Sequence, residues 1–214
     1  MMLTGIIVAN GHSRRMEGEN KSLLQVGGEA LIQRQIRLMK CVCSEIIIVT
    51  NTPRLFLRKV DESVRILTDY YPNRGPLGGM HAGLTLSRNK HAWIAGWDMP
   101  FLSWEAASLM LRHLQPTAEA VLPVIGGTAR VLHGIFDRSS AVKMETLLMN
   151  DLAMLPALLD VLEWQEMPES EFVRSGIDPG FVTAIKTRED YLETLRLLEG
   201  KDVDTYGTRS PAPG

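Results

Sequence analysis

The chain is poor in cysteine: Cys41 and Cys43 are the only two among 214 residues. Two positions apart in an extended segment, their side chains share a face but lie along the chain, a poor geometry for a bridge. With no further ligands nearby, Cys-Val-Cys is not read as a metal site either. Both are expected to be buried free thiols in a reducing compartment. Long apolar runs are also missing, and none reaches the about 18 residues of a membrane span. No basic region followed by an apolar core and a small-residue cleavage site opens the chain. No signal peptide is therefore expected, and a cytoplasmic location is. Positive charge is not in excess. The formal net charge is −2, which argues against a nucleic-acid binder with its basic surface. Two common phosphate-binding motifs are absent as well. No Gly-Lys-Ser/Thr closes a P-loop, and no three-glycine fingerprint follows the first strand, which disfavours a nicotinamide dehydrogenase.

What is present has an ordinary globular balance, 45% hydrophobic and 22% charged. One domain is expected over residues 1–206, with a disordered tail over 207–214 (GTRSPAPG). No internal repeat or low-complexity linker divides the chain. Apolar and β-branched runs predict strands at Leu3–Ala9, Glu45–Thr50, Ser63–Leu67 and His91–Trp97. Between and after them, helices are expected over Ala30–Met39, a short Pro53–Val60 capped by Thr52, near Met80–Ser87, and over Ser103–Leu114 with Ser103 as cap. Further on, Glu119–Val124 and Ala129–Phe136 flank Gly126-Gly127 as a hairpin. Arg138–Met149 and Leu152–Leu159 are expected to be helical, Phe181–Ile185 a final strand, and Thr187–Glu199 a helix with Tyr191, Leu195 and Leu198 on one face. Strands alternating with helices imply an α/β fold, a Rossmann-like three-layer sandwich with a mainly parallel sheet. Such sheets bind ligands at the carboxyl ends of their strands.

The polar segments that follow those strands are the candidate site. After the first comes Val8-Ala9-Asn10-Gly11-His12-Ser13-Arg14-Arg15-Met16-Glu17-Gly18-Glu19-Asn20-Lys21. Asn10 and Gly11 tolerate positive φ, so successive N–H groups can converge on an anion. Ser13 adds a hydroxyl, and Arg15 and Lys21 add positive charge. On the residues alone, an anion cradle and a polar connection with solvated cations are equally good readings. The second strand ends at Asn51, whose amide offers both donor and acceptor. Asp69 opens Asp-Tyr-Tyr-Pro-Asn-Arg-Gly-Pro-Leu-Gly-Gly, where Gly75-Pro76 makes a turn and Gly78 and Gly79 admit close approach. Its carboxylate suits the N1–H and N2–H edge of guanine, or a ribose. Asp98 ends an apolar strand, a costly place for a charge unless a cation meets it or it caps the next helix. Mg²⁺ favours one or two carboxylates plus phosphate oxygens and water. His133 is read as a hydrogen-bonded core histidine more readily than as a site residue.

These segments together resemble the molybdenum cofactor guanylyltransferases and their nucleotidyltransferase relatives. Ala9, Gly11, Ser13, Arg15, Met16 and Lys21 fall in step with that family's Leu-Ala-Gly-Gly…Arg-Met-Gly…Lys loop, and Leu23-Leu24 and Gly28 continue it. Gly75-Pro76-Leu77-Gly78-Gly79 is similar to its second landmark, and Trp97-Asp98-Met99-Pro100-Phe101-Leu102 to its third. The resemblance implies a nucleotide-diphospho-sugar transferase type of fold. It implies transfer of GMP from GTP to the phosphate of molybdopterin, with Mg²⁺ on Asp98 and pyrophosphate as the other product. It assigns nucleotide contacts to Val8, Ala9, Asn10, Gly11, Ser13, Lys21, Asn51, Asp69, Gly78 and Asp98, and catalytic roles to Arg15, Lys21 and Asp98. It further implies passing contacts with other cofactor-biosynthesis proteins or molybdoenzymes. Departures are visible. Asn10 replaces a glycine, Glu17 a glycine and Asn20 an acid. Ala184 and Lys186 stand where relatives carry asparagines. A cytidylyltransferase, a sugar-phosphate nucleotidyltransferase and a non-catalytic nucleotide-binding homologue are the competing expectations.

Overall fold

The structure, a computed structural model, describes residues 2–9 and 24–199. Its strands are β1 (Leu3–Val8), β2 (Gln25–Val26), β3 (Glu29–Ala30), β4 (Cys43–Val49), β5 (Val64–Leu67), β6 (His91–Gly96), β7 (Ala120–Ile125), β8 (Thr128–Ala129), β9 (Gly134–Asp137) and β10 (Trp164–Pro168). The helices are α1 (Leu31–Met39), α2 (Gly75–Thr85), α3 (Trp104–His113), α4 (Ala141–Met149), α5 (Leu155–Val161), α6 (Glu169–Arg174) and α7 (Arg188–Glu199).

One sheet of eight strands runs in the order β10-β7-β9-β6-β1-β4-β5, with β8 paired to β7 alone. β1 pairs in parallel with both β4 and β6, β4 with β5, and β7 with β10. Only β9 and β8 run against this direction. The expected mainly parallel α/β sandwich is therefore present. The central strands are buried along nearly their whole length, and their side chains alternate between the two faces with the period of two that a pleat imposes. Leu3, Ile7, Ile46, Ile48, Trp93 and Ala95 join one apolar cluster with Ile32, Ile36 and Met39 of α1 and Ala106 and Met110 of α3. Ile6, Val8, Ile47, Val49, Ala92 and Ile94 join another with Leu77 and Met80 of α2, Met144 of α4 and Leu158 of α5. Helices thus cover both faces, as a sheet with continuous apolar strands requires.

A third cluster joins Leu24, Val26 and Leu31 to Ile185, with Tyr191 and Leu198 of α7 against it. The Tyr191 hydroxyl donates to Gln25 O at 2.8 Å. The last helix therefore lies on the β2–β3 hairpin, a two-stranded element that sequence patterning does not reveal.

Several expectations are corrected. Phe181–Ile185 is not a strand. Residues Pro179–Val182 form a 3-10 turn, started by Asp178, whose carboxylate accepts from Gly180 N at 2.8 Å. The last strand is β10, a polar edge strand that ends in Pro168. Pro suits such an edge because its missing N–H costs no ladder bond. α6 follows it directly. Pro53–Val60 contains only a 3-10 turn at Pro53–Leu55, and Thr52 makes no side-chain cap. α2 starts at Gly75 rather than near Met80, so Gly-Pro-Leu-Gly-Gly is its first turn. Pro is preorganised for that position. α5 begins at Leu155, not Leu152. The 129–136 strand is divided into β8 and β9, and both pair antiparallel with β7 as the expected hairpin requires. Cys43 is buried but Cys41 is exposed; both are free thiols. The expectations for 207–214 lie outside the described residues. Ser103 caps α3 as expected, accepting from Ala106 N at 3.0 Å.

Candidate active site

The chain builds β1, β4 and β5 outward in one direction, then returns to place β6 on the other side of β1. The switch point of the strand order falls between β1 and β6, where the connections depart to opposite sides, and α/β sheets bind ligands at such points. At the carboxyl rim, backbone bonds carry the register one residue past the strands. Ala9 N donates to Val49 O at 2.8 Å, Thr50 N to Leu67 O at 2.9 Å, and Trp97 N to Val8 O at 3.2 Å. The rim therefore presents, in spatial order, the residues after Gly96, after Val8, after Val49 and after Leu67.

Those residues include the ones that the sequence singled out. Asp98 stands two positions beyond Gly96, Asn51 two beyond Val49, and Asp69 two beyond Leu67. Ala9 is half-buried at the centre, where the 10–23 segment departs. With strands about 4.8 Å apart, β5 and β6 lie roughly 14 Å from each other across the rim. An extended nucleoside triphosphate can span this. Asn10, Gly11, Ser13, Arg15 and Lys21 themselves lie outside the described residues. Asn51 is exposed, while Asp69 and Asp98 are partly exposed.

Asp69 is held in place from two sides. Its Oδ1 accepts from Tyr71 N at 2.6 Å. Its carboxylate also lies over Gly78, where an added Cβ would come within 2.6 Å of Oδ2. This puts a negative group against the first turns of α2, whose N–H groups favour it. Asp98 has a similar arrangement, because a Cβ on Gly96 would meet its Oδ1 at 2.9 Å. Each acid thus depends on a glycine for its position.

The turn carrying Asp98 is fastened from below and from one side. Gln35 Nε2 donates to Gly96 O at 2.7 Å and to Met99 O at 2.9 Å. Arg34 Nε donates to Pro100 O at 2.9 Å. Ile185 N donates to Asp98 O at 2.8 Å, which brings the 184–187 segment beside the acid. Asp190 accepts from Lys186 N and Thr187 N, both at 2.8 Å, and starts α7. Sequence reasoning missed Arg34 and Gln35. The available signal was two polar residues within the buried stripe of an otherwise apolar helix face, since buried polar groups need partners.

Next to this turn, a cleft of about 410 Å³ opens at the start of α3. Phe101, Trp104, Arg112, Ile177 and Phe181 are among its lining residues. His133 is fully buried behind it, with its ring 4.5 Å from Phe181 and 5.1 Å from Trp93. His133 Nε2 accepts from Ser103 N at 3.4 Å. The proton therefore sits on Nδ1, which has no partner among the described residues. Burial lowers the pKa of this imidazole to about 3. It is a neutral core histidine, as the sequence suggested. Its φ of 100° is unusual for any residue but glycine.

Among the described residues, no three His, Cys, Asp or Glu side chains are grouped to hold a metal. No helix among them is long and apolar enough to cross a membrane.

A mainly parallel sheet with acids on its carboxyl rim and a glycine-opened helix beside them defines an α/β nucleotide-binding protein. The particular family follows from comparison. The MobA-like NTP transferase domain matches residues 5–166, and the chain belongs to that family of nucleotidyltransferases. It is 29% identical over 190 residues to a molybdenum cofactor guanylyltransferase of Desulfosudis oleivorans, covering 88% of this chain and 92% of that relative. In structure it is similar to molybdopterin-guanine dinucleotide biosynthesis protein A of Archaeoglobus fulgidus, with a TM-score of 0.78 and 18% identity over 93% of this chain and 100% of that one. It also resembles a Mycobacterium tuberculosis protein solved in complex with manganese, with a TM-score of 0.63 and 12% identity over 92% and 99% of the two chains. At those identities the structural likenesses establish the fold.

Proposed function

We propose that this nucleotidyltransferase moves GMP from GTP onto the phosphate of a molybdopterin-type acceptor and releases pyrophosphate. The observation that carries the reading is the shared rim, with Asp69 and Asp98 at the ends of β5 and β6 and the start of the 10–23 segment between them. The name of the Desulfosudis oleivorans relative supports the guanylyl donor and the cofactor acceptor.

In this reading Asp69 accepts hydrogen bonds from the guanine edge, a pair of bonds that cytosine does not offer in the same pattern. Asn51, beside it on the rim, adds a donor and an acceptor for the base. Gly78 leaves room for the Asp69 carboxylate. Val8, Ala9, Asn10, Gly11 and Ser13 hold the phosphates through backbone and hydroxyl donors. Arg15 and Lys21 neutralise charge on the departing pyrophosphate. An oxygen of the acceptor phosphate forms a bond to the α-phosphorus as the bond to the bridging oxygen breaks, and pyrophosphate leaves with that electron pair. The protein contributes position and charge, with no covalent step of its own. The cleft lined by Phe101, Trp104, Phe181 and Arg112 suits a planar ring system that carries a phosphate.

Asp98 is the residue that would hold a divalent cation. The donor set fits Mg²⁺: one accessible carboxylate, with room made by Gly96 and no further ligand cluster among the described residues, leaves the remaining positions to phosphate oxygens and water. Bound there, the ion would act as a Lewis acid on the phosphates. The manganese complex of the Mycobacterium tuberculosis neighbour is consistent with a divalent site in this fold.

Replacing Asp98 by Asn keeps the volume and removes the charge. The expected result is a folded protein whose GTP-dependent pyrophosphate release falls by about 10³-fold, the scale of several kcal/mol of lost charge stabilisation. Wild-type turnover by this variant would refute the metal assignment.

A further inference from the structure

Gly96, Met99 and Pro100 surround Asp98 with carbonyl groups, and Pro100 brings no N–H to the turn. In a buried setting each such carbonyl needs a donor. Two adjacent side chains of α1 supply them: Gln35, fully buried, to Gly96 O and Met99 O, and Arg34, 6% exposed, to Pro100 O. Arg34 also lies 3.6 Å from Glu29 of β3. The hairpin that continues from the 10–23 segment is thereby tied to the same turn.

We infer that Gln35 is a positioning residue for Asp98, fixing the carboxylate at the height where it can serve the triphosphate, with Arg34 bracing the far side of the turn. The inference rests on the assignment of Asp98 in the proposed function. Its physical content is specific. One amide nitrogen bridges carbonyls on both sides of the acid, so the turn has one allowed height relative to α1. Loss of the bridge frees both carbonyls and lets the turn rotate, while β6 and its ladder to β1 stay intact. Gln35 touches neither nucleotide nor acceptor in this arrangement and acts only through Asp98.

The test uses the full chain with Gln35→Met, which keeps the length and suits the apolar surroundings but cannot donate, and Gln35→Glu. Manganese binding in the presence of GTP is followed by electron paramagnetic resonance, GTP binding without metal by calorimetry, and turnover by pyrophosphate release. Gln35→Met is expected to weaken Mn²⁺ binding about tenfold and to lower kcat by a similar factor, with metal-free GTP affinity within twofold of wild type. Gln35→Glu donates only when protonated, and its buried carboxyl faces two carbonyl oxygens, both of which raise its pKa. Its kcat relative to Gln35→Met should therefore rise as pH falls, a profile that a purely structural role does not produce. Unchanged Mn²⁺ binding and kcat in a folded Gln35→Met protein would overturn the inference. So would an equal loss of metal-free GTP binding, which would mark general damage. Asp98→Asn is measured alongside. If it retains activity, the Asp98 assignment fails; if it is inactive while Gln35→Met is normal, only the positioning role fails.

Discussion

At position 78 a hydrogen stands where nearly every other residue has a carbon, and the Asp69 carboxylate occupies that space. Gly78→Ala would push a methyl to within 2.6 Å of an oxygen at the end of a flexible side chain. The side chain can swing away only by giving up the bond from Tyr71 N, a loss offset by alanine's being the better helix former by about 1 kcal/mol. Stability in urea should therefore be unchanged or slightly raised, while GTP affinity falls as Asp69 is displaced. Calorimetric titration beside a denaturation curve checks both. His133 makes a different prediction. Its unfolded pKa is near 6.5 and its folded value about 3. Between these values the unfolded chain binds a proton that the folded chain refuses, so stability rises with pH across this window. Above pH 6.5 both states are neutral and the effect is fully present. Below it, stability falls by on the order of 1.4 kcal/mol per pH unit until about pH 3. His133→Gln, whose side-chain oxygen can still accept from Ser103 N, should remove that slope. Urea midpoints measured from pH 4 to pH 7 for the two proteins give the difference directly.

At the scale of the element, α2 shows how one helix does two jobs. Its glycines are not interchangeable. Gly78 faces Asp69, but at Gly83 a Cβ would fall 2.6 Å from Ile6 Cγ2 on β1, inside the core. Ile6 is fully buried and cannot move away. Gly83→Ala is therefore expected to destabilise by about 1–3 kcal/mol, the usual cost of overpacking, whereas Gly78→Ala is not. Chemical denaturation of the pair separates a glycine kept for packing from one kept for the site. α3 gives a simpler case. Ser103→Ala removes the hydroxyl that accepts from Ala106 N and should cost about 1 kcal/mol.

The same elements show what the sequence discloses. β1, β4, β5 and β6 were legible because buried parallel strands are short, apolar and β-branched. The places of Asp69 and Asp98 on the rim were legible because each stands two positions beyond the end of such a strand. β10 was not, because an edge strand needs no second apolar face and Trp-Gln-Glu-Met-Pro has the pattern of a loop. Phe181–Ile185 has the composition of a strand, yet Pro179 and Gly180 turn the chain there and Ile185 pairs with Asp98 O instead of a ladder. Gln35 and Arg34 stayed hidden because their partners are carbonyls more than 60 residues away. The local pattern can mark two polar residues on a buried stripe but does not name such distant partners.

At the scale of the whole molecule, the sheet order makes the site. β1 is central, its neighbours β4 and β6 are parallel to it, and the return of the chain from β5 to β6 puts the switch point between β1 and β6. Three parts of the chain support that rim. α1 fastens the Asp98 turn, α2 brings Gly78 to Asp69, and the 184–187 segment adds a backbone bond to Asp98 before α7 closes on the β2–β3 hairpin. The residues on this rim come from distant parts of the chain, and the fold aligns them along one edge. In the proposed reaction this edge uses GTP with a divalent ion on Asp98. The most direct measurement is pyrophosphate release from GTP and from CTP, each with molybdopterin and with or without Mg²⁺. The account predicts release from GTP only when Mg²⁺ and acceptor are both present, with CTP slower by at least about 10²-fold, the scale set by an unmatched hydrogen-bonding edge. Equal or faster release from CTP, or GTP turnover that persists without a divalent ion, would contradict it.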